Sequence, residues 1–174
     1  MNAPNRGGSC GPLTEIPTEI TLQTDPVLLA KLHEACTEEP WDASAMARLL
    51  GLPETVAFIA ARGAEPCGLV LTRRAGEDCE ILTIGVKPAM RIQGVGAGLL
   101  NTACDWGLRI GACRLVLEVA ADNHPALRLY EKCGFEGCGH RPGYYPGLYA
   151  GIPKIDALIL QKPLGRRRLG HGPD

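Results

Sequence analysis

Apolar residues recur along the chain in blocks that switch between helical and strand spacing. Val27, Leu28, Leu29, Leu32 and Cys36 fall at helical intervals, which predicts a first helix over Pro26–Cys36. Glu38-Glu39-Pro40-Trp41 breaks it, and Met46, Leu49 and Leu50 predict a second, short helix over Ser44–Leu50. Val56–Ala61 and Gly68–Arg73 read as two strands joined by the turn composition Arg62-Gly63-Ala64-Glu65-Pro66. Asp78–Val86 reads as a third strand, strongly apolar in its second half. Pro88 then interrupts, and a glycine-rich stretch from Gln93 to Gly98 leads into a helix running to about Ile110. Val95, Leu99, Ala103, Trp106 and Ile110 make its apolar face. Asn101, Asp105 and Arg109 recur on the other, with Asp105 and Arg109 spaced as an acid-first i,i+4 pair. Gly111 ends this helix. Arg114–Val119 is another strand, and Asp122 and Asn123 can cap a following helix with Pro125 in its first turn and Gly134 at its close. Strand-like pieces continue from Phe135 to Ala157-Leu158-Ile159-Leu160. Residues 1–20 show no periodicity and read as a flexible leader, 21–163 as one domain, and 164–174 as a flexible tail with a short basic run at Arg166–Arg168. This order of strands and helices is that of an α/β or α+β domain.

Composition narrows the function class. The 174 residues fit a single domain. Lys plus Arg number 18 against 19 Asp plus Glu, and a net charge of −1 offers no electrostatic footprint for nucleic acid. No apolar run approaches the roughly 18–20 residues of a membrane span, and no basic-then-apolar signal segment opens the chain. The expectation is a soluble, cytoplasmic protein without a nucleic-acid or membrane partner. The eight cysteines include no C-x-x-C pair, so they read as free thiols and no metal site is expected.

A strand, a glycine-rich turn and a helix together make a device for phosphates: free backbone N–H groups and the helix dipole face the anion, and glycine lets the backbone come close. A P-loop would need Gly-Lys-Ser/Thr, but Ala97 and Leu99 follow Gly96 and Gly98. A dinucleotide turn would need its first glycine against the strand and a third where Leu99 stands, although Glu118 lies where the ribose acid would be. The remaining class fits residue by residue. Val86-Lys87-Pro88 followed by Arg91-Ile92-Gln93-Gly94-Val95-Gly96-Ala97 resembles the V-x-P-x-x-(Q/R)-x-x-G-x-(G/A) signature of the GNAT superfamily of N-acetyltransferases. Asn123, then Ala126 and Leu129-Tyr130 through Gly134-Phe135, resembles that family's second segment, N-x-x-A-x-x-L-Y-x-x-x-G-F. Pro40-Trp41, Tyr144-Tyr145-Pro146 and Asp156–Leu160 resemble its ribosomal-protein alanine N-acetyltransferase subgroup.

The resemblance implies a mixed, mostly antiparallel sheet flanked by helices, with a splayed pair of parallel strands holding the cofactor. It implies acetyl-CoA as co-substrate, held by the backbone of Ile84, Gly85 and Val86, by the loop Arg91, Ile92, Gln93, Gly94, Val95, Gly96 and Ala97, and by Asn123. The acceptor it implies is a protein N-terminus, such as that of a ribosomal protein; a small-molecule amine is the other enzymatic reading, and a module that only senses acetyl-CoA is a third. Glu118, an acid inside Leu115–Val119, reads either as the polar face of an edge strand or as a buried carboxyl whose pKa burial raises. The resemblance implies a general base there. Tyr130 reads as a core tyrosine from its spacing, while the resemblance implies an acid that protonates the cofactor sulfur. Tyr144 and Tyr145 are candidates to wall the acceptor site. His124 and His140 have no paired acid nearby in sequence, and no Ser-His-Asp or Cys-His arrangement stands out, which favours direct transfer over an acyl-enzyme.

Overall fold

The computed structural model describes residues 17–145 and 154–165. The chain opens with an edge strand, β1 (Thr18–Gln23), followed by α1 (Pro26–Glu34) and α2 (Ala43–Leu50). Three strands follow, β2 (Thr55–Arg62), β3 (Glu65–Ala75) and β4 (Asp78–Val86). A 3-10 turn at Pro88–Met90 leads to α3 (Val95–Arg109), then β5 (Arg114–Ala120), α4 (His124–Lys132), β6 (Glu136–Tyr145) and β7 (Ile155–Pro163). The strands form one seven-stranded sheet in the order β1-β2-β3-β4-β5-β7-β6. Neighbours are antiparallel except β4 and β5, so the expected mixed, mostly antiparallel sheet is observed.

Both faces of this sheet are covered. Along β2, Phe58 and Ala60 pack toward the face of α3 and α4, while Ala57 and Ile59 pack toward α1 and α2. Val70 joins the first core; Leu69 and Leu71 join the second. A strand buried on two faces reads as a continuous apolar run, which is how β2 and β3 look in the sequence. Asp25, Asp42 and Asn123 cap α1, α2 and α4, each side-chain oxygen accepting a backbone N–H of the first turn. Gly111, with φ of 76°, turns the chain out of α3 as expected.

Four expectations are corrected. β1 begins at Thr18, inside the segment read as leader; its Ile20 packs on α3, where a Cβ at Gly98 would lie 3.1 Å from Ile20 Cδ1. At the other end, Leu164 is buried rather than part of a free tail, because Gly107 leaves room for it on α3 and Cys113 accepts its backbone N–H at 2.9 Å. The first helix ends at Glu34, short of Cys36. Among the described residues, Asp105 and Arg109 form no ion pair. Residues 1–16, the 146–153 segment with Pro146, and the basic run at 166–168 lie outside the described residues.

The chain just past α1 approaches β4 so closely that only glycine fits between them. A Cβ on Gly85 would lie 2.7 Å from Cys36 Cβ, an atom fixed to the backbone that cannot rotate aside. Gly85→Ala is therefore expected to destabilise by about 1–3 kcal/mol through overpacking. Gly137→Ala on β6, where a Cβ meets nothing within 4 Å, should stay within about 0.5 kcal/mol. Urea unfolding of the two variants checks this, and equal midpoints would contradict it.

Candidate active site

Parallel strands β4 and β5 pair only over Asp78–Glu80 against Arg114–Val116. Arg114 pins this end, its Nε and Nη2 donating to the two carboxylate oxygens of Asp78 at 2.8 and 2.9 Å. Beyond it the strands part, and among the described residues no strand pairs with the β5-facing edge of Ile81–Val86. Ile84, Gly85 and Val86 thus line an open slot with their backbone. The glycine-led loop stands at the end of the slot. Gly94 holds φ of 82° and starts α3 without any side-chain cap, and no acid occupies the first turn. The first backbone N–H returned to the helix is that of Gly98, donated to Gly94 O, so Val95, Gly96 and Ala97 present theirs outward from the helix end. Three helices of the fold are capped by acceptor side chains and this one is bare, which suits an anionic pyrophosphate.

The loop side chains are committed to the protein. Arg91 donates to Val86 O at 3.0 Å and to Cys36 O at 3.1 Å, tying the loop to β4 and to the end of α1. Gln93 donates to Ala89 O and accepts from Arg62. Ile92 is fully exposed at a positive φ of 62°. Val95 is buried in the core, and a Cβ on Gly96 would lie 2.9 Å from Leu129 Cδ2 of α4, so this glycine lets α3 and α4 meet. What the loop offers a ligand is backbone. Asn123 accepts from Ala126 N at 3.2 Å as the cap of α4.

Glu118 sits in β5 on the sheet face opposite Leu115, Leu117 and Val119. It is not buried among apolar neighbours: its side chain is 26% exposed, and Arg141 Nη2 reaches its Oε1 at 2.8 Å. Arg141 was not legible as a partner. It lies opposite Ala157 of β7, itself opposite Ala120 of β5, two residues along from Glu118 on the same face. The small Ala157 lets the guanidinium cross one strand. The same guanidinium lies 5.6 Å from the ring centre of Tyr144, which meets Tyr145 edge-on at 5.1 Å. Burial pushes the Tyr145 phenol up, and the nearby charges of Glu118 and Glu39 add to that. Glu39 belongs to the segment between α1 and α2, so that segment lies near enough to the end of β6 for its charge to act on Tyr145.

Tyr130 lies on the other side of the sheet, in the core of α3 and α4, its ring 5.7 Å from Phe135. Burial first, and then Tyr145 and Cys133, push its phenol up to about 12. A second residue missed by sequence reasoning is His33 of α1, which is buried. Its Nδ1 accepts the backbone N–H of Trp41 at 3.0 Å, which leaves Nε2–H to donate to Thr83 Oγ1 at 3.0 Å. Burial lowers its pKa, consistent with a neutral ring that anchors the Pro40-Trp41 segment to β4. His124 and His140 are exposed, and His140 points to the sheet face opposite Arg141. Among the described residues no helix is long and apolar enough to cross a membrane. Nor do three or more His, Cys, Asp or Glu side chains group there as metal ligands would.

Comparison with known proteins agrees with this geometry. The family described as the Acetyltransferase (GNAT) family matches residues 27–135. The N-alpha-acetyltransferase RimI of Mycobacterium tuberculosis is 34% identical, over 84% of this chain and 98% of that protein. An uncharacterised protein of Mycobacterium leprae is also 34% identical, but the chain spans only 42% of its length. The crystal structure of the ribosomal-protein-S18-alanine N-acetyltransferase from Escherichia coli shares the fold, with a TM-score of 0.76 over 88% of this chain and 99% of that one at 24% identity. With its parted β4–β5 pair and bare, glycine-led α3, the chain belongs to the GNAT family of acetyltransferases, whose members use acetyl-CoA as co-substrate.

Proposed function

We propose that the chain transfers acetyl from acetyl-CoA to the N-terminal α-amine of a protein, of the ribosomal-protein alanine type, with Glu118 as base and Tyr130 as acid. The observation that carries this reading is the slot between β4 and β5. It has the bare end of α3 at its mouth and Glu118, beside Tyr144 and Tyr145, on the acceptor face. The choice of an α-amine is supported by the mycobacterial relative named as an N-alpha-acetyltransferase.

Bound acetyl-CoA supplies an activated acetyl group whose thioester carbon the amine attacks. The N–H groups of Val95, Gly96 and Ala97 hold the pyrophosphate, and the open edge of Ile84–Val86 aligns the pantetheine arm as an added strand would be aligned. An α-amine with a pKa near 8 is largely charged at pH 7 and must lose a proton before it attacks. Arg141 occupies Oε1 of Glu118 and fixes its orientation, leaving Oε2 to take that proton, directly or through a water. Tyr130 then protonates the departing sulfur. That phenol, near 12, keeps its proton at neutral pH until the sulfur departs, and burial likewise pushes the Cys36 thiol, against Gly85, up to about 11. The same burial keeps Cys36 and Cys79 protonated, both near 11, which argues against an acyl-enzyme on either.

Tyr130→Phe keeps the ring against Phe135 and removes the donor. It should lower kcat by roughly 10²–10⁴-fold with little change in acetyl-CoA affinity. Because the phenol titrates near 12, that deficit should be flat from pH 6 to 9. A variant within about threefold of the parent would make Tyr130 a core residue only.

Glu118→Gln should lose most activity at pH 7 on an alanine-starting peptide. It should recover above about pH 8–9, where the free α-amine accumulates unaided. With a lysine side chain as acceptor, pKa about 10.4, the deficit should persist over that range. The acceptor itself is decided by a panel of N-terminal peptides against free amines with acetyl-CoA. Activity confined to the free amines would overturn the α-amine assignment, and full activity of Glu118→Gln at pH 7 would remove the base.

A further inference from the structure

Arg62, at the end of β2, has no place in either acetyltransferase sequence motif, yet it grips the loop that leads into α3. Its Nε donates to Thr18 Oγ1 of β1 at 3.1 Å. Its Nη1 donates to Gln93 Oε1, and its Nη2 to the backbone carbonyl of the same residue at 3.3 Å. Gln93 passes the restraint on, donating from Nε2 to Ala89 O at 3.0 Å. One guanidinium therefore ties the edge strand, the loop and the 3-10 turn together. The gripped residue lies between two positions in the left-handed region, Ile92 with φ of 62° and Gly94 with φ of 82°. Glycine adopts that region freely, whereas a β-branched residue there is strained. The Ile92 side chain is fully exposed, so no contact of its own holds it. Backbone in so sparsely populated a conformation persists only where its surroundings impose it.

We propose that Arg62 is a positioning residue for acetyl-CoA: through Gln93 it holds the strained turn at Ile92, and so keeps the backbone N–H groups at the start of α3 aimed at the pyrophosphate. Arg62 need not touch the cofactor to do so. Without it, Ile92 relaxes toward negative φ, the peptide planes on either side of Gln93 rotate, and the anion site must be rebuilt each time acetyl-CoA binds. The loss falls on cofactor binding and spares the transfer step. It also falls only on ligands that carry the pyrophosphate. The proposal rests on the loop being the seat of that pyrophosphate, and acetyl-pantetheine, which lacks it, separates the two.

The test is steady-state kinetics of the parent, Arg62→Ala, Ile92→Gly and the double variant, each with acetyl-CoA and with acetyl-pantetheine. Arg62→Ala is expected to raise KM for acetyl-CoA roughly tenfold, equivalent to about 1.4 kcal/mol, with kcat within about twofold and the acetyl-pantetheine KM unchanged. Glycine at position 92 removes the strain that Arg62 opposes. The factor lost with Arg62 should therefore shrink to less than about threefold in the Ile92→Gly background, the signature of coupled positions. An unchanged acetyl-CoA KM in Arg62→Ala overturns the proposal, as does an equal rise for both thioesters, which would mark general destabilisation. The same factor in both backgrounds overturns the role of strain. A parent with equal KM for the two thioesters would instead refute the loop as the pyrophosphate seat.

Discussion

Everything at the site follows from how briefly β4 and β5 stay together. They are parallel, and their pairing is confined to Asp78–Glu80 against Arg114–Val116, with the Arg114–Asp78 fork closing the base. Parallel strands need a long crossover, and α3 supplies it; the loop before α3 must then leave the sheet where the strands have already separated. The opening end of the slot and the bare end of the helix coincide for that reason. Backbone polar groups in the middle of a sheet are ordinarily satisfied by the neighbouring strand, so a half-open edge between two covered faces is a standing demand for a partner. An extended, hydrogen-bonding ligand arm meets that demand.

The glycines around the slot serve the fold directly. Gly85 admits Cys36, just past α1, against β4, and Gly96 admits Leu129 of α4. Gly68 of β3 leaves a bare 2.8 Å between where its Cβ would stand and Gly85 O. Segments from both faces can thus press close to the separated strands. The two sequence segments that identify the family, the glycine turn and the Leu129-Tyr130 pair, meet physically where Gly96 touches Leu129. Placing α4 on α3 is also what buries Tyr130, and that burial is the main cause of its high pKa.

What could be read from the sequence was what is local. The α3 stripe, the caps at Asn123 and Gly111, and the order of segments depend on neighbours a few residues apart, and they stand as expected. β1 escaped because six residues, Thr18–Gln23, carry only Ile20 and Leu22 as apolar positions, and an edge strand borrows its stability from β2. Leu164 escaped because its place depends on a glycine fifty-seven residues earlier in the chain. At the site, Arg91 matched the motif by type, but its side chain bonds the carbonyls of Val86 and Cys36, contacts that the sequence does not reveal. Glu118 was found, but its environment was not, since the cross-strand register that delivers Arg141 is set by β7 and has no trace in the Leu115–Val119 segment.

That register bears on how a carboxylate can act as base while an arginine holds it. A half-exposed pair of this kind is worth little to stability, roughly 0–1 kcal/mol, so what it contributes here is orientation. Arg141 bonds one oxygen of Glu118 and lies over the Tyr144 ring. It therefore ties the orientation of the carboxylate to that of the aromatic wall on which an acceptor would rest. An incoming ammonium competes with the guanidinium for the same carboxylate, and the two cations repel. On the proposed mechanism an acceptor would be drawn to the carboxylate oxygen that Arg141 leaves free. The ion pair would thereby give the proposed base a direction, and its small net energy would let the arrangement yield when the acceptor has reacted and must leave.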